Sequence, residues 1–421
     1  MFSAADSALL TETGPGTPMG ALLREYWLPA LRSGAVSAGG APCRVRLLGE
    51  NFVVFRTAEG ALGVVDEACP HRGASLRLAR NEDCGLRCIY HGWKIGTDGC
   101  VLETPNEGGR RIGPALHMRT HLVEEAAGVI WLRFASPEPV PTLPRLPFVD
   151  LAPESVRVNR LTVECNWLQV IEGEWDPTHI SHMHRVLAGP DGHIAERDAA
   201  GASYAVEQLT SSPTLEFEPT SYGFRYAQRE APPSRLTRVI VCALPWWVAI
   251  PSGPDDRTSQ SFLGHVPIDD THTAWWFVTF NPDGTPIAQP PHPSAQGPRM
   301  LGDWSIPTEA TEWGQDREAM AAGLSYSGID AGRGPAGGVA EDVAIYESMG
   351  PIVDRTIEHL GAADIVISKA RRLLLEAVRA HAAGDPAPWL HAPLSTLRSQ
   401  WFDVPDGEDW RTVADAVDVF S

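Results

Sequence analysis

The sequence predicts an α+β chain in two domains, residues 1–145 and 146–421. Three observations carry that expectation. Short apolar alternations broken by glycine turns dominate from Cys43 to Phe134. A proline-dense stretch, Pro137 to Pro147, then reads as a linker. Beyond it, strand patterns mix with helical ones, and the chain finishes on a long amphipathic helix.

The elements follow in order. Thr17 and Pro18 form an N-cap with proline at N1, opening a short helix towards Trp27. Arg44–Leu48 alternates, Gly49 turns the chain, Phe52–Phe55 continues, and Gly60 turns it again before Leu62–Val65. Gly128–Phe134 closes the first β-rich region. In the second domain, strand-like Val156–Val158 and Leu161–Val163 lead into Asn166–Glu172, whose apolar spacing suits a helix with one buried face. Gly223–Ala227, Val239–Leu244 and Thr273–Phe280 return to strand pattern. The Pro- and Gly-rich region 281–338 reads as loops covering a site. Asp364 caps a helix from Ile365 to His381 that Gly384 ends.

At 421 residues the chain can bury a full core in more than one domain, and 43% hydrophobic residues is an ordinary globular composition. A net charge of -19 leaves no basic excess to neutralise phosphate, which excludes nucleic acid as the expected partner. No apolar run reaches membrane-span length and no secretory signal is visible. Outside the motif below, five scattered cysteines suit reduced thiols better than a disulfide framework, so a cytoplasmic location is expected.

Two short loops carry the first chemistry. Cys69-Pro-His71 and Cys88-Ile-Tyr-His91 each pair one sulfur with one imidazole. A [2Fe–2S] cluster of the Rieske type needs that set, two Cys on one iron and two His on the other. Structural zinc also takes Cys2His2, but usually groups Cys with Cys and His with His. Gly73 and Gly92 stand where a backbone without Cβ approaches the cluster closely.

A second cluster of donors, Asp176, His179, His182 and His184, crowds into nine residues. Imidazoles plus one carboxylate, with open positions, make a non-haem Fe(II) centre able to bind O2. Asp176 and His179 are i,i+3 neighbours that project together on a helix. His184 fits only if that helix ends or loosens near Ser181. A histidine-rich loop with incidental metal affinity is the plainer alternative.

Taken together, the Cys69/His71/Cys88/His91 set and the segment Asn166 to His184 resemble the Rieske non-haem iron oxygenases, nearest their phthalate dioxygenase branch. Gly14-Pro-Gly-Thr-Pro, Gly85-Leu-Arg-Cys and Glu347-Ser-Met-Gly-Pro-Ile-Val-Asp-Arg-Thr extend the likeness over most of the chain. The resemblance implies an N-terminal all-β Rieske domain and a C-terminal catalytic domain of helix-grip (START-like) type with an antiparallel sheet. It implies His179 and His184 as two iron ligands and Asp342 as the third, with Glu341 beside it as competitor. Asp176 is implied as the carboxylate bridging cluster and iron across a subunit boundary, in a homotrimer or stacked hexamer. His182 is left to the surface.

The implied activity is that of a terminal oxygenase, using O2 and electrons that an NAD(P)H-dependent iron–sulfur flavoprotein reductase supplies. The implied reaction is ring dihydroxylation of a carboxylated aromatic, with O-demethylation or aryl-ether cleavage as the alternative. Arg238 is the candidate for a substrate carboxylate, since guanidinium binds that group bidentately. Trp246 and Trp247 either pack the core or narrow the substrate pocket. A pure electron carrier has no use for residues 150–421, and a zinc protein would be colourless.

Overall fold

The computed structural model describes residues 2–108, 116–134, 141–184, 212–230, 234–251, 259–287, 299–301, 304–329, 336–405 and 407–417. Contacts divide the chain into two units, residues 13–144 and residues 1–12 with 145–421. The first twelve residues thus depart from the expected 1–145 division. In the last turn of the helix Ala4–Thr11, the Leu10 carbonyl accepts the indole N–H of buried Trp167 at 3.0 Å. The Thr11 carbonyl accepts from buried Asn166 at 2.9 Å. A tryptophan and an asparagine in the interior both need such partners.

The unit 13–144 is built from three small antiparallel sheets. Cys43–Leu47, Glu50–Arg56 and Leu62–Asp66 form a meander; its first strand buries alternate residues, whereas Phe52–Phe55 are buried on both faces. Leu28–Arg32, Val129–Arg133 and Leu122–Ala126 form the second sheet. Four short strands from Arg80 to Glu103 form the third, and Gly85–Arg87 and Lys94–Gly96 flank the second cysteine loop.

The other unit is α+β. Its antiparallel sheet runs Val156–Val163, His272–Phe280, Gln260–Asp269, Trp247–Pro251, Leu236–Ala243, Gly223–Arg229, Thr214–Thr220. One edge of Leu236–Ala243 serves two partners, pairing with Trp247–Ala249 at one end and with Gln400–Asp403 at the other. Leu161, Val163 and Trp275 share a core with Val170 of one helix and Val343, Ala344 and Tyr346 of another.

The helix Trp167–Trp175 is capped by the Asn166 side chain, which accepts from Leu168 N at 3.1 Å. The sequence predicts one buried face, yet nearly the whole helix is buried, Gln169 and Glu172 included. Both polar residues are satisfied. Gln169 donates to the carbonyls of Tyr346 and Gly350 and accepts from Val353 N at 2.8 Å. Glu172 accepts from Arg355 at 2.9 Å and Arg371 at 2.6 Å.

The long helix expected to finish the chain spans Ile365–Ala382, one residue beyond the predicted end, but the strand Gln400–Asp403 and the helix Trp410–Val417 follow it. Trp246 and Trp247 are buried. Trp247 stacks over Gly264 and packs edge-on to Phe148, on the sheet face that carries Phe262 and Phe280. That is the face turned away from the Trp275–Tyr346 core. Among the described residues, no helix is long and apolar enough to cross a membrane.

Candidate metal centres

The two cysteine loops have the same backbone closure. Cys69 N donates to Ala74 O at 2.8 Å, and Gly73 N returns to Cys69 O at 2.8 Å. Cys88 N donates to Trp93 O at 2.8 Å, and Gly92 N to Cys88 O at 3.0 Å. Gly73 and Gly92 close these turns at φ +75° and +77°, where an L side chain is strained. At Gly92 a Cβ would also meet the Pro105 ring at 2.7 Å.

The loops bring the four predicted ligands of the first centre together. The His71 and His91 rings lie 4.5 Å apart. Both cysteines are free and buried. Burial pushes the Cys69 thiol up to about 11, with the Cys88 sulfur adding to the rise. A bound metal cation deprotonates such thiols outright. Burial, then the charges of His71 and Arg72, hold His91 below its ordinary value, which keeps the ring neutral. Its Nδ1 is buried with no protein partner, the state expected of a ligand atom. These donors fit a Rieske cluster.

Sequence reasoning missed two supports. Trp93 stacks on His71 with an interplanar angle of 9°, and its Nε1–H donates to Asn106 at 2.7 Å. The pair fixes the plane of His71. An aromatic directly after the second loop's glycine was the available signal.

At the second centre, Asp176 and His179 do not share a helix as their spacing suggested. Pro177 stops the Trp167–Trp175 helix, because a residue before proline is driven out of the helical region. Asp176 sits there at φ −102°, ψ 102°. Its Oδ1 accepts from Thr178 N at 2.8 Å and Thr178 Oγ1 at 2.6 Å, closing a turn. A short helix, Ile180–Met183, follows, with His179 and His184 at its two ends.

Both histidines then face the helix Ala336–Ser348. His179 Nε2 lies 3.7 Å and His184 Nε2 3.2 Å from one atom, Asp342 Oδ1. Asp342 Oδ1 is buried and has no hydrogen-bond partner. One ligand atom from each of the three residues falls within 4.8 Å of the others. The opposite ring nitrogens face carboxylates too: His179 Nδ1 is 3.6 Å from Asp176, and His184 Nδ1 is 2.7 Å from Glu341.

Burial alone would lower His184, but Asp342 and Glu341 outweigh it and raise the imidazole to about 10. That anionic surplus suits a dication. The donor set is two imidazoles and one carboxylate, the pattern of a non-haem Fe(II) site. His182 is exposed and takes no part.

Arg238 is buried, with its guanidinium 5.5 Å over the Trp401 ring. Trp401 in turn packs on Ile180, the neighbour of His179. The region expected to be loop contributes Ser327, whose hydroxyl donates to Glu341.

Residues 26–120 match the Rieske [2Fe-2S] domain, and residues 134–419 match the family described as LigXa C-terminal domain like. The chain is 34% identical to the 3-chlorobenzoate-3,4-dioxygenase oxygenase subunit of Comamonas testosteroni, over 97% of this chain and 96% of that one. It is 35% identical to the phthalate 4,5-dioxygenase oxygenase subunit of Pseudomonas putida, over 92% and 88%. In fold it is similar to the terminal oxygenase of carbazole 1,9a-dioxygenase from Novosphingobium sp. KA1, with TM-score 0.59 at 19% identity over 89% and 96%. With both domain families matched and both donor sets assembled, the chain belongs to the Rieske non-haem iron oxygenases, as an alpha subunit of the phthalate dioxygenase-like branch.

Proposed function

We propose that the chain is a terminal oxygenase that dihydroxylates a carboxylated aromatic ring, with electrons from a separate NAD(P)H-dependent iron–sulfur flavoprotein reductase. Cys69, His71, Cys88 and His91 hold the [2Fe–2S] cluster, and His179, His184 and Asp342 hold the iron. The observation that carries this reading is the convergence of two imidazole Nε2 atoms on the orphaned Asp342 Oδ1. When bound, the cluster supplies single electrons and the iron activates O2.

The protein's own residues orient these groups. Thr178 pins one Asp176 oxygen, and the other faces His179 Nδ1. Asp176 remains about one-quarter exposed, so a histidine of a second copy can reach it as the bridge requires. Arg238 takes the substrate carboxylate. Its placement one packing contact from Ile180 supports that role.

Purified protein should show the visible colour and EPR signal of the cluster and contain one iron beyond it. Benzoate, phthalate, phenoxybenzoate and methoxybenzoate analogues should be ranked by oxygen uptake coupled to product. Arg238→Leu should raise KM for the best carboxylated ring about tenfold or more, with its uncharged analogue unaffected; two lost charge-assisted hydrogen bonds account for that size. A colourless zinc protein defeats the whole reading, and an unchanged KM removes Arg238 from it.

The exposed large apolar residues support a head-to-tail assembly. Leu78, Ile89, Tyr90 and Leu102 are exposed in the unit that carries the cysteine loops, and Ile345, Met349, Ile352, Ile357 and Leu360 are exposed along residues 345–360 of the catalytic unit. Two unlike patches on one chain suit a heterologous contact that closes into a ring. Ile357, 70% exposed, is the most prominent. Ile357→Glu should convert a trimer or stacked hexamer to monomers in light scattering while keeping the cluster colour. An unchanged mass rules this face out.

A further inference from the structure

Adjacent helical residues point about 100° apart, so Glu341 and Asp342 cannot both address one point. They instead grip one ring from two sides. Glu341 Oε2 is 2.7 Å from His184 Nδ1, and Asp342 Oδ1 is 3.2 Å from His184 Nε2. Glu341 is 1% exposed, and its other oxygen accepts from the Ser327 hydroxyl. The carboxylate facing His179 is different: Asp176 stands 3.6 Å away and is 25% exposed. One imidazole is therefore held tightly from the interior, and the other loosely from an accessible residue.

We propose that Glu341 is the positioning residue of the mononuclear site, with Ser327 as its lock. This rests on the reading that His179, His184 and Asp342 hold the iron. Glu341 accepts the Nδ1–H of His184, which fixes the tautomer, turns the Nε2 lone pair towards Asp342 and increases its basicity. The short helix Ile180–Met183 ends at His184, so its backbone does little to fix the ring. The 341/342 pair thus divides its labour: Asp342 faces the metal and Glu341 faces the ligand.

The test uses the full-length protein with its cluster intact, stripped of the mononuclear metal by a chelator and retitrated with Fe(II). Co(II) absorption serves as a second readout of coordination geometry. Glu341→Ala should lose about 10–100-fold in Fe(II) affinity and alter the Co(II) spectrum. Glu341→Gln, whose amide oxygen still accepts from Nδ1–H, should recover most of both. Ser327→Ala should lose several-fold, and it decides the matter if Glu341→Ala does not keep the cluster colour. Affinity within twofold of wild type in Glu341→Ala, or in Ser327→Ala in that case, overturns the proposal. So does a result in which Glu341→Ala abolishes binding but Asp342→Ala does not, since Glu341 is then the ligand. Wild-type protein that takes up no Fe(II) beyond its cluster defeats the ligand assignment itself.

Discussion

Asp176→Asn is expected to leave the cluster and the iron site filled while lowering coupled turnover about 100-fold, the upper end of effects seen for residues that act through a metal ligand. Asparagine keeps the size of the side chain and an oxygen for Thr178, which now closes the turn through Asp176 Oδ1. It removes the negative charge opposite His179 Nδ1. The loss should therefore fall on turnover and spare metal content. Iron analysis beside single-turnover product formation with chemically reduced protein separates the two. Full turnover in the variant removes Asp176 from the path between the centres.

The largest expected effect on stability lies one helical turn earlier. Glu172 is buried between Arg355 and Arg371, and Arg371 also forks onto Glu358. Removing the carboxylate in Glu172→Ala leaves two interior guanidinium groups short of charge, at a cost of about 3–5 kcal/mol. Urea denaturation should show the midpoint falling with little change in slope. Burial alone would raise the Glu172 carboxyl, but Arg355 and Arg371 overcome it and hold it below its ordinary value of 4.5. A depressed folded-state value means the contribution is complete above 4.5 and fades as pH falls through the folded value. The deficit of Glu172→Ala should therefore shrink on acidification below that point. A deficit independent of pH would assign the loss to the cavity rather than the charge.

This network also explains why the helix before Asp176 was hard to read. Its apolar residues suggest one buried face, because Gln169 and Glu172 look like a solvent side. They are interior only because partners more than 170 residues away reach them. The short Ile180–Met183 helix is a milder case. Histidine spacing suggested a break near Ser181, but the helix ends before Pro177, and the local geometry depends on the Asp176–Thr178 turn.

Local chemistry was legible from the sequence alone. Each cysteine loop carries its sulfur, imidazole and turn glycine within five residues, so the first donor set needs no long-range information. The α+β class was legible for the same reason, since periodicity is a short-range property; the His179/His184 pair came from the family resemblance, because spacing alone left Asp176 and His182 beside it. Tertiary structure decided the rest. The sheet order splits one edge of Leu236–Ala243 between strands from distant parts of the chain, which no window of sequence reports. Between Glu341 and Asp342, two adjacent carboxylates of similar chemistry, only packing separates the roles. Ser327 and His184 claim one, and the other is left facing two imidazoles. A residue's type limits what it can bind, but its direction is set by neighbours that the sequence places far away.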